Sequence, residues 1–347
     1  MHVFLKYVFL SCCLVIFAVP VIKAQTYRNL ILEGAGIRGI AYAGALMELQ
    51  NHKILDSIKR IGGTSAGAIT ALAVSIGYSP EEIYDIIANT DFQKFNDGRY
   101  IFFGGFHRLR KHYGWYLGET FSDWLAELIE KKTGNKDITF SQLHEKGFKD
   151  LYVTGTSLNR QKMIVFSREN YPNMRVRDAI RISMSIPLYY EAVWIDSTGK
   201  IIQKPKDTKD LDLMVDGGIL GNFPIHIFDS TNYFPANTYM DSAKNAFAKN
   251  PETIGVRIDT DEQINSDKNN TGLAPYEINE FTDYIGAFYN IILENLNRQS
   301  LDADDWKRTI SVSSKDIGPK VKKLSDAQKN ILLESGREGV KAFFEKE

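Results

Sequence analysis

Beyond position 13 the chain has no cysteine: the two it contains, Cys12 and Cys13, sit side by side in its opening stretch. That stretch has a short start carrying Lys6, an apolar run from Tyr7 to Ile22 and the small residue Ala24 before Gln25, the layout of a secretory signal cut after Ala24. The apolar run is shorter than the roughly 20 residues a membrane-spanning helix needs. Residues 1–24 are therefore expected to be removed on export to a periplasm or the exterior, leaving one domain over residues 25–347. A thiol-free domain excludes a disulfide scaffold, a cysteine nucleophile and a thiolate metal site.

Other things are scarce as well. No later apolar run is long enough to cross a bilayer. The formal charge is only −1 and becomes more negative once Lys6 and Lys23 leave with the leader, which argues against nucleic acid held by bulk charge. Neither internal repeats nor low-complexity tracts occur. Histidines and carboxylates nowhere fall at metal-ligand spacing, so no metal or other cofactor is expected.

What the chain does have is alternation. Short apolar runs (Leu30–Leu32, Ile58–Ile61) alternate with amphipathic stretches (Ile40–Leu49, Ala66–Ile76), the βαβα order of a parallel or mixed sheet covered by helices. Helix starts are predicted at Ser79-Pro80-Glu81-Glu82, Thr139–Gln142 and Ser325–Gln328, each a capping box, and a helix over Thr120–Lys132 should stop near Gly134. Later strands are expected at Leu151–Thr156, Met163–Phe166, Leu213–Val215 and Thr253–Ile258, with a hairpin across Val193–Gln203. Tyr276–Leu296 places Ile278, Phe281, Ile285, Phe288, Ile292 and Leu296 on one helical face, predicting a core-packed helix. Lys204–Asp210 and Asn265–Thr271 read as surface loops.

Three motifs carry chemistry. Gly63-Thr64-Ser65-Ala66-Gly67 follows an apolar strand and opens an apolar helix, so Ser65 sits on a tight strand-to-helix turn with the helix dipole behind it. Gly34-Ala35-Gly36-Ile37-Arg38-Gly39 follows Leu30–Glu33 and presents backbone N–H groups to a negative oxygen, that of a tetrahedral intermediate or of a dinucleotide pyrophosphate. The dinucleotide reading has Asp56 near the distance of a ribose-binding acid. It fails because Asp56 precedes the next strand, that strand ends in the serine turn, and an exported protein meets little NAD. Asp216-Gly217-Gly218 follows the run Leu213–Val215; such an acid can be aimed across a sheet edge, or it can close a turn on its own backbone.

As a set, in this order, the three motifs resemble the patatin-like phospholipase family. The likeness covers Tyr27 to Asp229 and includes Asp178–Pro187, similar to the family's helix leading into Ser-x-x-x-Pro, and Asn222-Phe223-Pro224, similar to its Asn-x-Pro. Ala35 stands where many members have a third glycine, which is harmless if its φ is negative. The resemblance implies a three-layer α/β/α sandwich around a mixed, largely parallel sheet. It also implies a lipid acyl hydrolase, a phospholipase A or carboxylester hydrolase, with a Ser65–Asp216 dyad working through an acyl-enzyme. Amides of Gly36, Ile37 and Arg38 would hold the oxyanion.

Two alternatives stand beside it: a Ser65-Asp216-His226 triad, since the chain order Ser, Asp, His is present, and an inactive module that binds lipid. The implied partners are a lipid or phospholipid and, peripherally, a membrane surface. Between Asp91 and Gly118 aromatics crowd among glycines and cations, as either a cover over an acyl pocket or a second core.

Overall fold

Leu30, Ile31 and Leu32 are consecutive apolar residues, yet they serve two different cores. Leu30 and Leu32 belong to a large cluster with Leu72, Val153 and Ile180. Ile31 points the other way, toward Tyr152, Phe223, Ile225 and Phe228. Side chains alternate across a strand, so a sheet buried on both faces reads as an unbroken apolar run. Leu151 and Val153 against Tyr152 repeat the pattern.

The computed structural model describes residues 26–98, 101–233, 249–269, 271–279, 281–298, 301–318 and 323–345; the leader lies outside them. Ten strands are described: β1 (Asn29–Leu32), β2 (Arg60–Gly63), β3 (Gly114–Tyr116), β4 (Asp150–Ser157), β5 (Lys162–Phe166), β6 (Leu188–Tyr190), β7 (Val193–Ile195), β8 (Asp212–Asp216), β9 (Thr253–Asp259) and β10 (Thr309–Ser313). Eight form one sheet in the order β10-β9-β1-β2-β4-β8-β7, with β5 also on β4; β3 and β6 form a separate pair. Strands β10, β9, β1, β2 and β4 run parallel, while β5, β8 and β7 enter in antiparallel pairs. The result is a mixed, largely parallel sheet flanked by helices.

Most predicted boundaries hold to within a residue or two. Capping boxes close at Ser79 with Glu82, Thr139 with Gln142 and Ser325 with Gln328, and the helix Glu119–Thr133 ends on left-handed Gly134. Three expectations change. Asn265–Thr271 is not all loop, because Asp261–Asn269 is helical and Gln263 fastens it through Ala274 N–H and Gly272 O. The Val193–Gln203 hairpin shrinks to one bridge, Ile195 with Ile201, since β7 takes its ladder from β8 instead.

The third concerns the predicted core helix. It spans Phe281–Arg298, leaving Tyr276 and Ile278 outside it. Ile278 and Phe288 are exposed, Ile292 is half-buried, and the side chains of Phe281, Ile285 and Leu296 lie outside the described residues. Among the described residues its buried positions are Ala287 and Glu294, and Glu294 accepts a hydrogen bond from the buried guanidinium of Arg257 at 3.2 Å.

Candidate active site

Strand β2 stops at Gly63, and Thr64 is tied down by its hydroxyl, 2.6 Å from both Thr154 Oγ1 and Gly221 O. Ser65 then takes φ 52°, ψ −122°, and the helix Ala66–Ser75 begins at the next residue. A non-glycine residue in that region stores on the order of 1–3 kcal/mol of strain, a feature that clusters at reactive sites. The flanking glycines make the turn feasible. A Cβ on Gly67 would fall 2.4 Å from the carbonyl oxygens of Leu32 and Glu33, and one on Gly63 would fall 2.5 Å from Gly67 O.

After β1 the chain passes through Glu33 and Gly34 into a 3-10 turn, Gly36–Ile40. Gly36 has φ 56°, whereas Ala35 has φ −131°, so the alanine is accommodated without strain. Among the described residues the N–H groups of Gly36 and Ile37 have no hydrogen-bond partner, whereas that of Arg38 donates to Ala35 O at 3.3 Å. The three donors expected from the sequence thus reduce to two. Arg38 Nε bonds the same carbonyl at 3.1 Å, bracing the turn, and its charge helps hold down the pKa of Asp259. Gly39 is buried against Ala66 at the start of the serine helix.

Strand β8 runs antiparallel to β4 and sets Asp216 opposite Gly155. Gly155 lies two residues beyond Val153, the partner of Gly63, so Asp216 arrives level with Ser65. Its Oδ1 accepts the Gly218 N–H at 2.7 Å, the local turn that Asp-Gly sequences favour, and the Ser65 side chain lies close enough to the carboxyl to help lower its pKa. Burial pushes Asp216 up to about 7, with the Gly218 N–H and then Ser65 working against that rise. The Ser65 hydroxyl also lies 3.3 Å from Met184 Sδ. Gly217 and Gly218 are buried where a short helix, Gly218–Gly221, leaves the strand.

Four residues that the sequence flagged only by likeness hold this geometry. Ser183 Oγ accepts the Ser65 N–H at 2.9 Å, and Ser185 O accepts the Asp216 N–H at 2.9 Å. Between them Met184 offers its sulfur to the hydroxyl. Asn222 clasps the glycine-rich loop from both sides: its carbonyl takes the Gly34 N–H at 3.0 Å and its amide donates to Gly34 O at 3.1 Å. Behind that loop Glu33 pairs with Arg257 at 2.9 Å, and Arg257 also reaches Asp259 and Glu294. Burial, with the neighbouring charges of Asp259 and Glu294, pushes Glu33 up.

Other candidates fall elsewhere. His226 bonds the Asp229 carboxylate at 3.0 Å and lies 3.5 Å from Asp305, so the acid it engages is not Asp216. The ligand atoms of His226, Asp229 and Asp305 lie within 4.8 Å of one another, yet those carboxylates already face cations: Arg308 holds both at 2.6–2.7 Å and Lys249 holds Asp305 at 2.9 Å. Asp56 is exposed on the short helix Ile54–Ser57 that precedes β2, at the opposite end of the strand from Ser65.

The aromatic segment divides in two. Phe92 and Phe95 pack with Phe121 and Trp124 at ring separations of 5.3–6.3 Å, as an extension of the main core and not a separate one. Much of the remainder forms a helix, Ile101–His112, and not a loop; Tyr100 and the side chains of Phe102 and Phe103 lie outside the described residues. Next to the glycine-rich turn, Ile37 and Ile40 border a cleft of about 280 Å3 shared with Ile87, Phe92 and Leu324, with Lys94 and Lys323 on its wall.

A family profile described as "Patatin-like phospholipase" matches residues 30–229, from β1 through the acid motif to Asp229. The chain belongs to the patatin-like phospholipase family. An uncharacterised protein of Acanthamoeba polyphaga mimivirus is 29% identical over 324 residues, covering 92% of this chain and 94% of its own. A probable lipid hydrolase of Invertebrate iridescent virus 6 is 26% identical over 212 residues, covering 59% of this chain and 64% of its own. Among solved structures, VipD from Legionella pneumophila superposes with a TM-score of 0.54 at 14% identity, covering 92% of this chain and 67% of VipD. That likeness is one of fold.

Proposed function

We propose that this protein is a serine lipid acyl hydrolase in which Ser65 is the nucleophile and Asp216 its base. The observation that carries the reading is a strained, nearly buried hydroxyl brought level with a buried carboxyl that burial pushes up to about 7, beside the Gly36 and Ile37 N–H groups, which have no hydrogen-bond partner among the described residues. Ser65 Oγ attacks the ester carbonyl and its proton passes to Asp216. The tetrahedral oxyanion is met by the Gly36 and Ile37 N–H groups, each worth on the order of 3 kcal/mol when well placed. Collapse breaks the ester C–O bond, and the leaving alcohol takes the proton from Asp216. Water then attacks the acyl-serine while giving a proton to Asp216, which returns it to Ser65 as the carboxylic acid departs. The mixed cleft beside Ile37, with Ile87, Phe92 and Leu324 on its apolar side, would give an acyl chain room. Export through the leader at residues 1–24 belongs to the same proposal and rests on the sequence.

A fluorophosphonate probe should label the protein at Ser65, and Ser65→Ala should abolish labelling and lower ester hydrolysis at least about a thousandfold. Labelling that survives Ser65→Ala, or a parent protein inert to the probe, would overturn the assignment.

A further inference from the structure

The helix Ile101–His112 carries no acidic residue and ends in Arg110, Lys111 and His112. Its inner side is fixed. Trp115 lies so close to Gly105 that a Cβ there would come within 2.5 Å of the indole, and Arg108 Nε donates to Trp115 O at 2.9 Å. Phe106, Arg110 and Lys111 face solvent, Phe106 at 64% exposure, and Tyr113 just past the helix is 47% exposed. Strand β3 starts at the next residue, where Gly114 pairs with Leu188 of β6. Leu188 is 67% exposed and held at φ 69°, a left-handed conformation that a branched side chain adopts only under strain. Three large apolar side chains thus stand out of one surface among cations. Lys204, from the polar loop after β7, joins them: with His107, Arg108 and Lys111 it adds to the positive field that, after burial, holds His112 below its usual pKa. Glu191, beside it, lies half-buried within the fields of Arg108 and Arg181 and of the acids Glu119 and Asp97.

Large apolar side chains projecting from a cationic surface match a bilayer with anionic headgroups, where rings and leucine enter the acyl boundary while lysine and arginine stay at the phosphates. Water gives no reason to hold a strained leucine outward; a lipid surface does. The patch is also tied to the chemistry. Leu188 lies four residues after Met184, hence at most about 14 Å along the chain, and Met184 touches the Ser65 hydroxyl.

We propose that Phe106, Tyr113 and Leu188, with Arg110, Lys111 and Lys204, form the surface by which the protein docks on anionic lipid bilayers, bringing Ser65 to its substrate. This deepens the lipid-hydrolase reading and rests on it.

The test is co-sedimentation of the full chain, and of the Phe106→Ser/Leu188→Ser and Arg110→Glu/Lys111→Glu variants, with vesicles of phosphatidylcholine alone or with 30% phosphatidylglycerol. Hydrolysis of a soluble short-chain ester is measured in parallel. The expected result is binding that requires phosphatidylglycerol, weakens with added salt and falls at least about tenfold in both variants, while soluble-ester turnover stays within twofold of the parent. Undiminished vesicle binding in both variants would overturn the proposal. So would a shift from dimer to monomer in the Phe106→Ser/Leu188→Ser variant, by light scattering, with vesicle binding unchanged. Failure of the catalytic reading looks different: soluble-ester turnover would be absent, or indifferent to Ser65→Ala, whatever the vesicles report.

Discussion

At the scale of single residues, the proposed mechanism and the burial of Asp216 pull its protonation in opposite directions. Burial favours the neutral acid and the reaction needs the carboxylate, so a pKa near 7 places the balance where a general base works best. On this reading kcat/KM should rise with unit slope as pH increases toward about 7 and level off above it; a profile flat from pH 5 to 9 would remove Asp216 as the base. The same shift bears on stability. In the unfolded chain the acid titrates near its ordinary value of 3.8, so its contribution to stability is full below that point and is lost as pH rises through about 7. Asp216→Asn keeps an acceptor for Gly218 and never ionises. Its melting temperature should therefore gain on the parent's between pH 4 and 8 while ester hydrolysis collapses. His226→Ala should retain activity within about threefold, since its partner acid is Asp229; loss beyond about a hundredfold with the fold intact would restore the triad.

Among the elements, those whose geometry is local were legible and those decided by distant partners were not. The serine turn declares itself because Gly63 and Gly67 are spaced by the turn they make possible, and the capping boxes declare themselves because donor and acceptor lie three residues apart. Asn222, Ser183 and Met184 take their roles from strands brought together only by the sheet. Their motif was recognised by likeness and its mechanics by structure. The helix Phe281–Arg298 shows the limit from the other side. Periodicity identifies a helix, yet among its described residues Phe288 is exposed while Glu294 is buried against the Arg257 guanidinium. Phe288→Ala should accordingly cost under about 0.5 kcal/mol, against about 3–5 kcal/mol for Phe121→Ala in the main core, as read from urea midpoints. Comparable losses would mean that Phe288 is covered.

Across the whole molecule, the buried guanidinium of Arg257 is where sheet, site and C-terminal region meet. From β9 it reaches Glu33 after β1 and Glu294 on the outer helix, at 2.9 and 3.2 Å, and Asp259 shares it with Arg298. Replacing it with Met would leave the buried Glu33 carboxyl without its cation, while Asp259 and Glu294 keep Arg298, which should cost about 3–5 kcal/mol. Glu33 immediately precedes the glycine-rich turn, so the variant should also lose kcat more than KM. A melting temperature within a degree of the parent's would show that the cluster relaxes freely.

Ser183 and Ser185 stand two positions apart and grip, respectively, the amide of Ser65, the proposed nucleophile, and the amide of Asp216, its proposed base. The gap between hydroxyl and carboxyl is therefore gauged by a single short stretch of chain acting as a jig, not by the separate wanderings of two strand ends. On the proposed mechanism, both groups ride on the same clamp, and the spacing that proton transfer would need is set by it.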